Sequence, residues 1–348
     1  MKEEFSYIVD QFADLQILRY QVPGFENLSL RQKQLLYHLS EAALMGRDIL
    51  FDQNGRYNLV IRRTLEAVYQ YGIVDKSSAD YQAFEVYLKR VWFANGIHHH
   101  YGEDKFIPGF SEAFFDAAVR SVDVSLLPLK AGETVDTLLA HLKPVIFDPT
   151  VMPKRTVQSG DTDWIQASAN NYYGEDVTQA EVEAFYGKMK TEGDSRCPLS
   201  YGLNSRLEKE NSQLVERVWK VGGLYSEAIE RIVAELEKAA AFAENEKQRQ
   251  IIATLIDYYR TGDLRTFDAY SILWVEDTDS QVDFVNGFIE TYGDALGLKA
   301  SWESTVNFRN EEATRRTQTI SENAQWFEDH SPVDQRFKKE RVKGVSAK

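Results

Sequence analysis

Cysteine is almost absent from this sequence. Cys197 is the only one among 348 residues. A disulfide needs two thiols and a thiolate zinc site needs several, so the chain can form neither an intrachain disulfide nor a cysteine-based zinc cluster. Such sparse cysteine usage is typical of a protein in a reducing compartment. We therefore expect a cytoplasmic location, although a removed leader would leave the same sequence.

Long apolar runs and an excess of basic residues are also missing. No uninterrupted apolar stretch approaches the roughly 20 residues that a membrane-spanning helix needs. The opening residues 1–5 are Met-Lys-Glu-Glu-Phe, which lack the apolar run of a signal peptide. Acidic residues outnumber basic ones by 54 to 40, for a net charge of −14. Because nucleic-acid binding needs a concentrated positive field, the sequence predicts neither a nucleic-acid partner nor a membrane partner.

Several familiar catalytic signatures do not occur. The sequence has no HExxH, no GxSxG, no GxxxxGK[ST] and no GxGxxG after a strand. Readings as a nucleotide-binding protein or a serine hydrolase therefore have no motif support. A hydrophobic fraction of 43% is nevertheless enough for a substantial core.

What is present is mostly helical periodicity. Apolar residues recur at intervals of three and four, and Thr178 with Glu181 has the form of a capping box at a helix start. The predicted helices cover 5–15, 30–43, 60–72, 80–94, 111–121, 135–142, 178–190, 224–243 and 251–259, the last ended by Gly262. The last forty residues have a polar helical pattern. Prolines in the middle of the chain, Pro144 among them, are expected to mark the ends of elements.

The composition changes after Gly262. Residues 270–275, 282–292 and 302–308 are rich in β-forming side chains and predict strands. We therefore expect an α+β fold, predominantly helical, with a small antiparallel or mixed β-sheet or barrel.

Three consecutive histidines, His98 to His100, form the first candidate site. In an extended segment His98 and His100 would share a face and could hold a metal together with Glu103 or Asp104. Only two imidazoles converge in that arrangement. The favoured alternative is a loop whose histidines form hydrogen bonds or line a cleft.

The second candidate is the segment that contains Glu290 and Tyr292. On a strand these two side chains would share one face, about 6.6 Å apart. A carboxylate and a phenol at that spacing can engage the α-ammonium of an extended peptide and a carbonyl two residues along it. The alternative is a surface glutamate beside a half-buried tyrosine.

Two segments resemble the dipeptidyl-peptidase III family of zinc metallopeptidases. Residues 273–292 contain Leu-Trp-Val-Glu-Asp followed by Gly-Phe-Ile-Glu-Thr-Tyr, which is similar to the tryptophan strand and the GFIE[ST]Y strand of that family. Residues 101–108, Tyr-Gly-Glu-Asp-Lys-Phe-Ile-Pro, resemble a second family segment near the cleft. The two segments occur in the family order, and the resemblance covers most of residues 80–310.

The resemblance implies a function and roles for four residues. Members of that family have two lobes around a wide cleft, and one lobe carries the zinc motif HExxGH. By resemblance, Glu290 would anchor the amino terminus of a peptide, and Tyr292 would donate to the scissile carbonyl or its oxyanion. Thr291 would meet the peptide through its backbone, and Tyr101 would contact the substrate chain.

The chain departs from the family in one respect. It contains no HExxGH, so the zinc ligands of the complete enzyme are not in this segment and no metal site is assigned here. The resemblance predicts that residues 1–310 form a helical and β-containing peptide-binding lobe, and that 311–348 begin the connection to a missing C-terminal catalytic lobe. The ending at Lys348 is interpreted as a truncation.

The sequence thus predicts the substrate-binding lobe of a zinc-dependent dipeptidyl-peptidase III-like exopeptidase that acts on short peptides. The 348-residue segment alone is expected to be inactive. Two alternatives remain open at this point, a non-catalytic peptide-binding scaffold and a helical interaction protein.

Overall fold

Helices dominate the computed structural model, which describes residues 5–342. About 49% of the described residues are helical. Within the described residues the helices are α1 (Leu30–Met45), α2 (Arg47–Gln53), α3 (Asn58–Tyr71), α4 (Ala79–Ala94), α5 (Glu112–Arg120), α6 (Val135–Phe147), α7 (Trp164–Ala167), α8 (Gln179–Glu192), α9 (Ser226–Ala240), α10 (Glu246–Thr261), α11 (Leu264–Glu276), α12 (Glu311–Glu322) and α13 (Ala324–His330).

The strands form antiparallel pairs. They are β1 (Ile8–Phe12), β2 (Leu15–Leu18), β3 (Ser205–Glu210), β4 (Gln213–Val218), β5 (Val282–Glu290) and β6 (Ser301–Phe308), paired β1 with β2, β3 with β4 and β5 with β6. The predicted α+β class with small sheets is confirmed. The final residues 343–348, which the truncation hypothesis involves, lie outside the described part of the chain.

Local sequence signals account for most helix ends. The capping box at the start of α8 is present, because the Thr178 side chain accepts from the Glu181 amide while Glu181 accepts from the Thr178 amide. Gly262 ends α10 in the left-handed conformation, with φ of 72°. The predicted helices at 30–43, 60–72, 80–94, 111–121, 178–190, 224–243 and 251–259 are confirmed within a few residues.

The predicted helix at 5–15 is wrong, because these residues form the β1–β2 hairpin. A two-residue turn joins the strands, and Ala13 takes a positive φ of 50° there. Half-buried positions alternate with exposed ones along β2, which is a strand pattern. The apolar residues fitted both periodicities, and the pairing of β1 with β2 decides between them.

The predicted strand at 270–275 is also wrong, because this segment is the second half of α11. Asp263 caps the helix by accepting from the Arg265 amide. Phe267 on the same helix packs against Tyr258, with ring centroids 4.9 Å apart. Aromatic and β-branched composition suggested a strand, and packing between α10 and α11 overrides that preference.

Pro144 does not end an element, contrary to expectation. It lies inside α6, one turn before the C-terminus, and its carbonyl accepts from the Asp148 amide. A proline there removes one helical donor. The apolar side chains around it, Leu142, Val145 and Ile146, are buried and hold the last turn in place.

The chain divides into two compact units. The first contains the described residues up to Gln21, residues 46–228 and residues 287–303, and the second contains residues 22–45, 229–286 and those from Ser304 onward. The core of the first unit is an apolar cluster contributed mainly by α3, α4, α5 and α6. In the second unit α1, α9 and α10 each bury an apolar face.

Candidate functional site

A pocket in the first unit brings two of the candidate residues together. Its volume is about 340 Å³. The residues that line it come from α2 and the residue after it, from the end of α4 and the loop after it, from the loops after α6 and α7, and from the β5–β6 hairpin: Leu50, Asn54, Phe93, Ala94, Asn95, His100, Tyr101, Arg155, Tyr172, Tyr292, Gly293, Ser301, Trp302 and Glu303. Tyr101 and Tyr292 thus lie in one concave surface although 190 residues separate them in the sequence.

The strand that carries Glu290 ends at that residue. The predicted strand 282–292 is therefore two residues too long, and Tyr292 lies in the loop that follows β5. Glu290 and Tyr292 therefore do not share one face of a strand, contrary to the prediction from the sequence. Glu290 is exposed and does not line the pocket, and Thr291 between them is half-buried.

Tyr292 is surrounded by negative charge. Its side chain is 64% exposed. Partial burial raises the pKa of the Tyr292 hydroxyl, and the carboxylates of Glu303 and Glu290 raise it further. The hydroxyl therefore stays protonated at neutral pH and can donate a hydrogen bond.

Glu303 is a pocket residue that sequence reasoning missed. Burial raises the pKa of its carboxyl group, and repulsion by Glu290 adds to the effect. The Ser301 hydroxyl lies 3.2 Å from Glu303 Oε1 and 3.2 Å from the Glu290 carbonyl. Pairing of β5 with β6 brings Glu303 to this end of the hairpin. The signal was available in principle, since 302–308 was predicted as a strand but was not assigned a partner strand.

Arg155 is a second residue that sequence reasoning missed. Its Nη2 donates to Glu103 Oε1 at 2.6 Å, and its backbone amide donates to the Glu103 carbonyl at 2.9 Å. Glu103 itself has a positive φ of 61°. The ion pair fixes the loop that follows Tyr101 against the segment around Arg155.

The three histidines occupy three different environments. His98 is buried, its Nε2 lies 2.9 Å from the Met152 carbonyl, and burial lowers its pKa to about 4. His99 Nδ1 accepts from the amides of Tyr101 and Gly102 at 3.1 and 2.9 Å. The His100 ring meets Phe93 edge to face, and this histidine lines the pocket. The predicted loop of hydrogen-bonding and cleft-lining imidazoles is confirmed.

These environments do not suit a metal ion. His98 Nε2 and His99 Nδ1 contact backbone groups, and His99 Nε2 lies 3.9 Å from Asp14 Oδ2, so the imidazoles do not converge on a common point. Across residues 5–342 no group of three or more His, Cys, Asp or Glu side chains is arranged to hold a metal. In the same stretch no helix is both long and apolar enough to cross a membrane.

Comparisons with known proteins mainly return dipeptidyl peptidase 3 proteins. The sequence profile of Peptidase family M49 matches residues 200–344. Dipeptidyl peptidase 3 of Dictyostelium discoideum is 24% identical over 97% of this chain and 50% of its own length. Dipeptidyl peptidase 3 of Homo sapiens is 22% identical over 91% of this chain and 47% of its own length. The chain thus spans about half the length of these curated relatives.

A solved structure shows the same likeness in the fold. The structure of DPP III from Caldithrix abyssi superposes with a TM-score of 0.62 at 18% sequence identity. The match covers 91% of this chain and 47% of the solved one.

Proposed function

We propose that this chain, which is similar to dipeptidyl peptidase 3 proteins over most of its length, is the substrate-binding lobe of a zinc-dependent exopeptidase of that family. The complete enzyme would release dipeptides from the amino termini of short peptides. The observation that supports this proposal best is the presence of Tyr101 and Tyr292 in one pocket. A concave surface lined by aromatic side chains and a few polar groups is typical of a ligand-binding site.

Glu290 is the proposed anchor for the amino terminus of the peptide. It is exposed, and its charge is close enough to raise the pKa values of Tyr292 and Glu303. The resulting negative potential attracts an ammonium group. An open carboxylate–ammonium pair contributes only about 0.2–1 kcal/mol, so this lobe alone should bind peptide weakly.

Tyr292 is proposed to donate a hydrogen bond from its hydroxyl to the scissile carbonyl or its oxyanion. The raised pKa of Tyr292 keeps the hydroxyl protonated, as a donor must be. A donor aimed at an oxygen that gains negative charge stabilises the transition state more than the ground state. Thr291 would contact the peptide through its backbone, and Tyr101 would pack against the substrate chain.

Zinc is proposed as a cofactor of the complete enzyme and not of this chain alone. The family is one of metallopeptidases, and zinc would activate water and polarise the carbonyl there. The residues that the structure describes offer no ligand set for it, so none of the roles above passes through the metal. We assign residues 1–310 to the binding lobe and 311–348 to the start of a connection to a catalytic lobe. We also propose a cytoplasmic location.

Peptide titration of the purified chain tests the anchor. The probes are a short alanine peptide with a free amino terminus and its N-acetylated form, followed by calorimetry or NMR. Glu290→Gln should weaken binding of the free peptide about two- to fivefold and leave the acetylated form unchanged. Glu183→Gln, an exposed carboxylate on α8, is the matched control. Equal loss with both peptides would refute the ammonium contact.

A further inference from the structure

The backbone carbonyls of residues 292–294 all accept hydrogen bonds from side chains. Gln158 Nε2 donates to the carbonyls of Tyr292 and Asp294 at 3.3 and 2.9 Å. Between them, the Gly293 carbonyl accepts from Thr156 Oγ1 at 3.1 Å and from Asn170 Nδ2 at 2.9 Å. A carbonyl with two donors uses both of its lone pairs, so its direction is fixed.

The donors belong to a segment that also holds the Tyr101 loop. The Lys105 amide donates to the Pro153 carbonyl at 3.0 Å, and the Arg155 amide donates to the Glu103 carbonyl at 2.9 Å. The Asn170 amide in turn donates to the Arg155 carbonyl at 3.1 Å. One short stretch therefore connects the two loops that carry Tyr101 and Tyr292.

The Tyr292 side chain depends on this backbone support. Its ring is 64% exposed, so packing restrains it little. Thr156 and Asn170, by contrast, are only 7% and 5% exposed and lie in the interior. Asp294 secures the other end of the loop by accepting from the amides of Leu298 and Lys299.

We propose that Thr156 and Asn170 are positioning residues that set the place of the Tyr292 phenol by holding the Gly293 carbonyl. Only the chemical importance of Tyr292 rests on the proposed function. The positioning itself is a property of this chain and can be measured without any peptidase activity.

The test compares Thr156→Val, Asn170→Leu and the double variant with wild type in protein carrying ¹³C-labelled tyrosine. Loss of the Tyr292 signals in Tyr292→Phe assigns them. Because each donor alone still holds the carbonyl, each single variant should move these signals slightly and the double variant strongly. In the double variant the pKa of Tyr292 should fall toward the ordinary value of about 10, as the ring leaves its carboxylate neighbours.

Two further variants separate positioning from general stability. Thr156→Ser keeps the hydroxyl and should retain the wild-type Tyr292 signals. Thr64→Val removes a different buried hydroxyl, one that donates to the Val60 carbonyl within α3. It should lower the melting temperature without moving Tyr292.

Wild-type chemical shift and pKa of Tyr292 in a folded double variant would overturn the proposal. So would a Tyr292 shift of equal size in Thr64→Val. Failure of the peptide titration with intact positioning would instead count against the proposed function alone.

Discussion

Lys299 buries its amine beside Ser205, with Nζ 3.1 Å from Oγ. The Tyr186 hydroxyl is the second contact of the amine. Both hydroxyls donate onward to Glu216 Oε1, at 2.5 Å from Ser205 and 2.7 Å from Tyr186. Lys299 is fully buried, and burial lowers its pKa to about 7. The amine therefore reaches the carboxylate only through two hydroxyl groups.

Lys299→Met should change the pH dependence of stability. The pKa of Lys299 is about 7 in the folded chain and near 10.4 when unfolded, so between these values the unfolded chain binds more protons. The free energy of unfolding of the wild type should therefore rise between about pH 7 and about pH 10. Below about pH 7 the buried amine is charged, and folding carries the full cost of burying that charge.

The measurement is the free energy of unfolding in urea at several pH values. The free energy of unfolding of Lys299→Met should exceed that of wild type by the largest amount below about pH 7, and this difference should shrink as pH rises. Lys154→Met, which removes a half-exposed amine paired with Asp104, should leave the slope unchanged. Parallel wild-type and Lys299→Met curves would show that the buried amine titrates normally.

Lys105→Met should destabilise the first unit. The Lys105 amine donates to the carbonyls of Val145, Asp148 and Val151, which close the C-terminal end of α6. Methionine leaves these carbonyls without a donor, and we expect a loss of about 2–4 kcal/mol. Urea unfolding measures it, with Lys154→Met again as the control. A loss no larger than the control's would mean that water replaces the amine.

Gly46→Ala should disturb the wall of the pocket. A Cβ at Gly46 would lie 2.1 Å from Trp302 Cζ2, so the indole must move. Overpacking of this kind costs about 1–3 kcal/mol. Gly187→Ala on α8 is the control, because its Cβ would meet nothing within 4 Å and alanine favours a helix. A variant as stable as wild type, with unchanged tryptophan fluorescence, would contradict this prediction.

Much of the helical fold could be predicted from the sequence because the signals are local. The capping box at Thr178 and the left-handed Gly262 each act within a few residues. The errors arise where distant contacts decide. Pairing makes 8–18 a hairpin, and the packing of Phe267 on Tyr258 makes α11 a helix in spite of its β-forming composition.

The site could be predicted only in part, for the same reason. Tyr101 and Tyr292 belong to recognisable segments, and the structure places both in one pocket, while the roles that the resemblance implies for them stay predictions. Glu303 and Arg155 have no motif of their own. Glu303 enters the pocket through the β5–β6 pairing, of which the sequence indicated the strands but not the partners, and Arg155 enters it beside an ion pair with Glu103, which has no sequence signal.

The 348-residue chain by itself should show no dipeptidyl-peptidase turnover. In the proposed enzyme, hydrolysis would require a zinc-activated water, and the described residues present no set of three ligands. Metal analysis of the purified chain should find no stoichiometric zinc, and an assay with a dipeptidyl-arylamide should give no product above buffer. Any residual rate should be unchanged by Tyr292→Phe and Glu290→Gln, which would identify it as contamination. Robust zinc-dependent hydrolysis that both substitutions reduce would mean that the chain contains a complete active site.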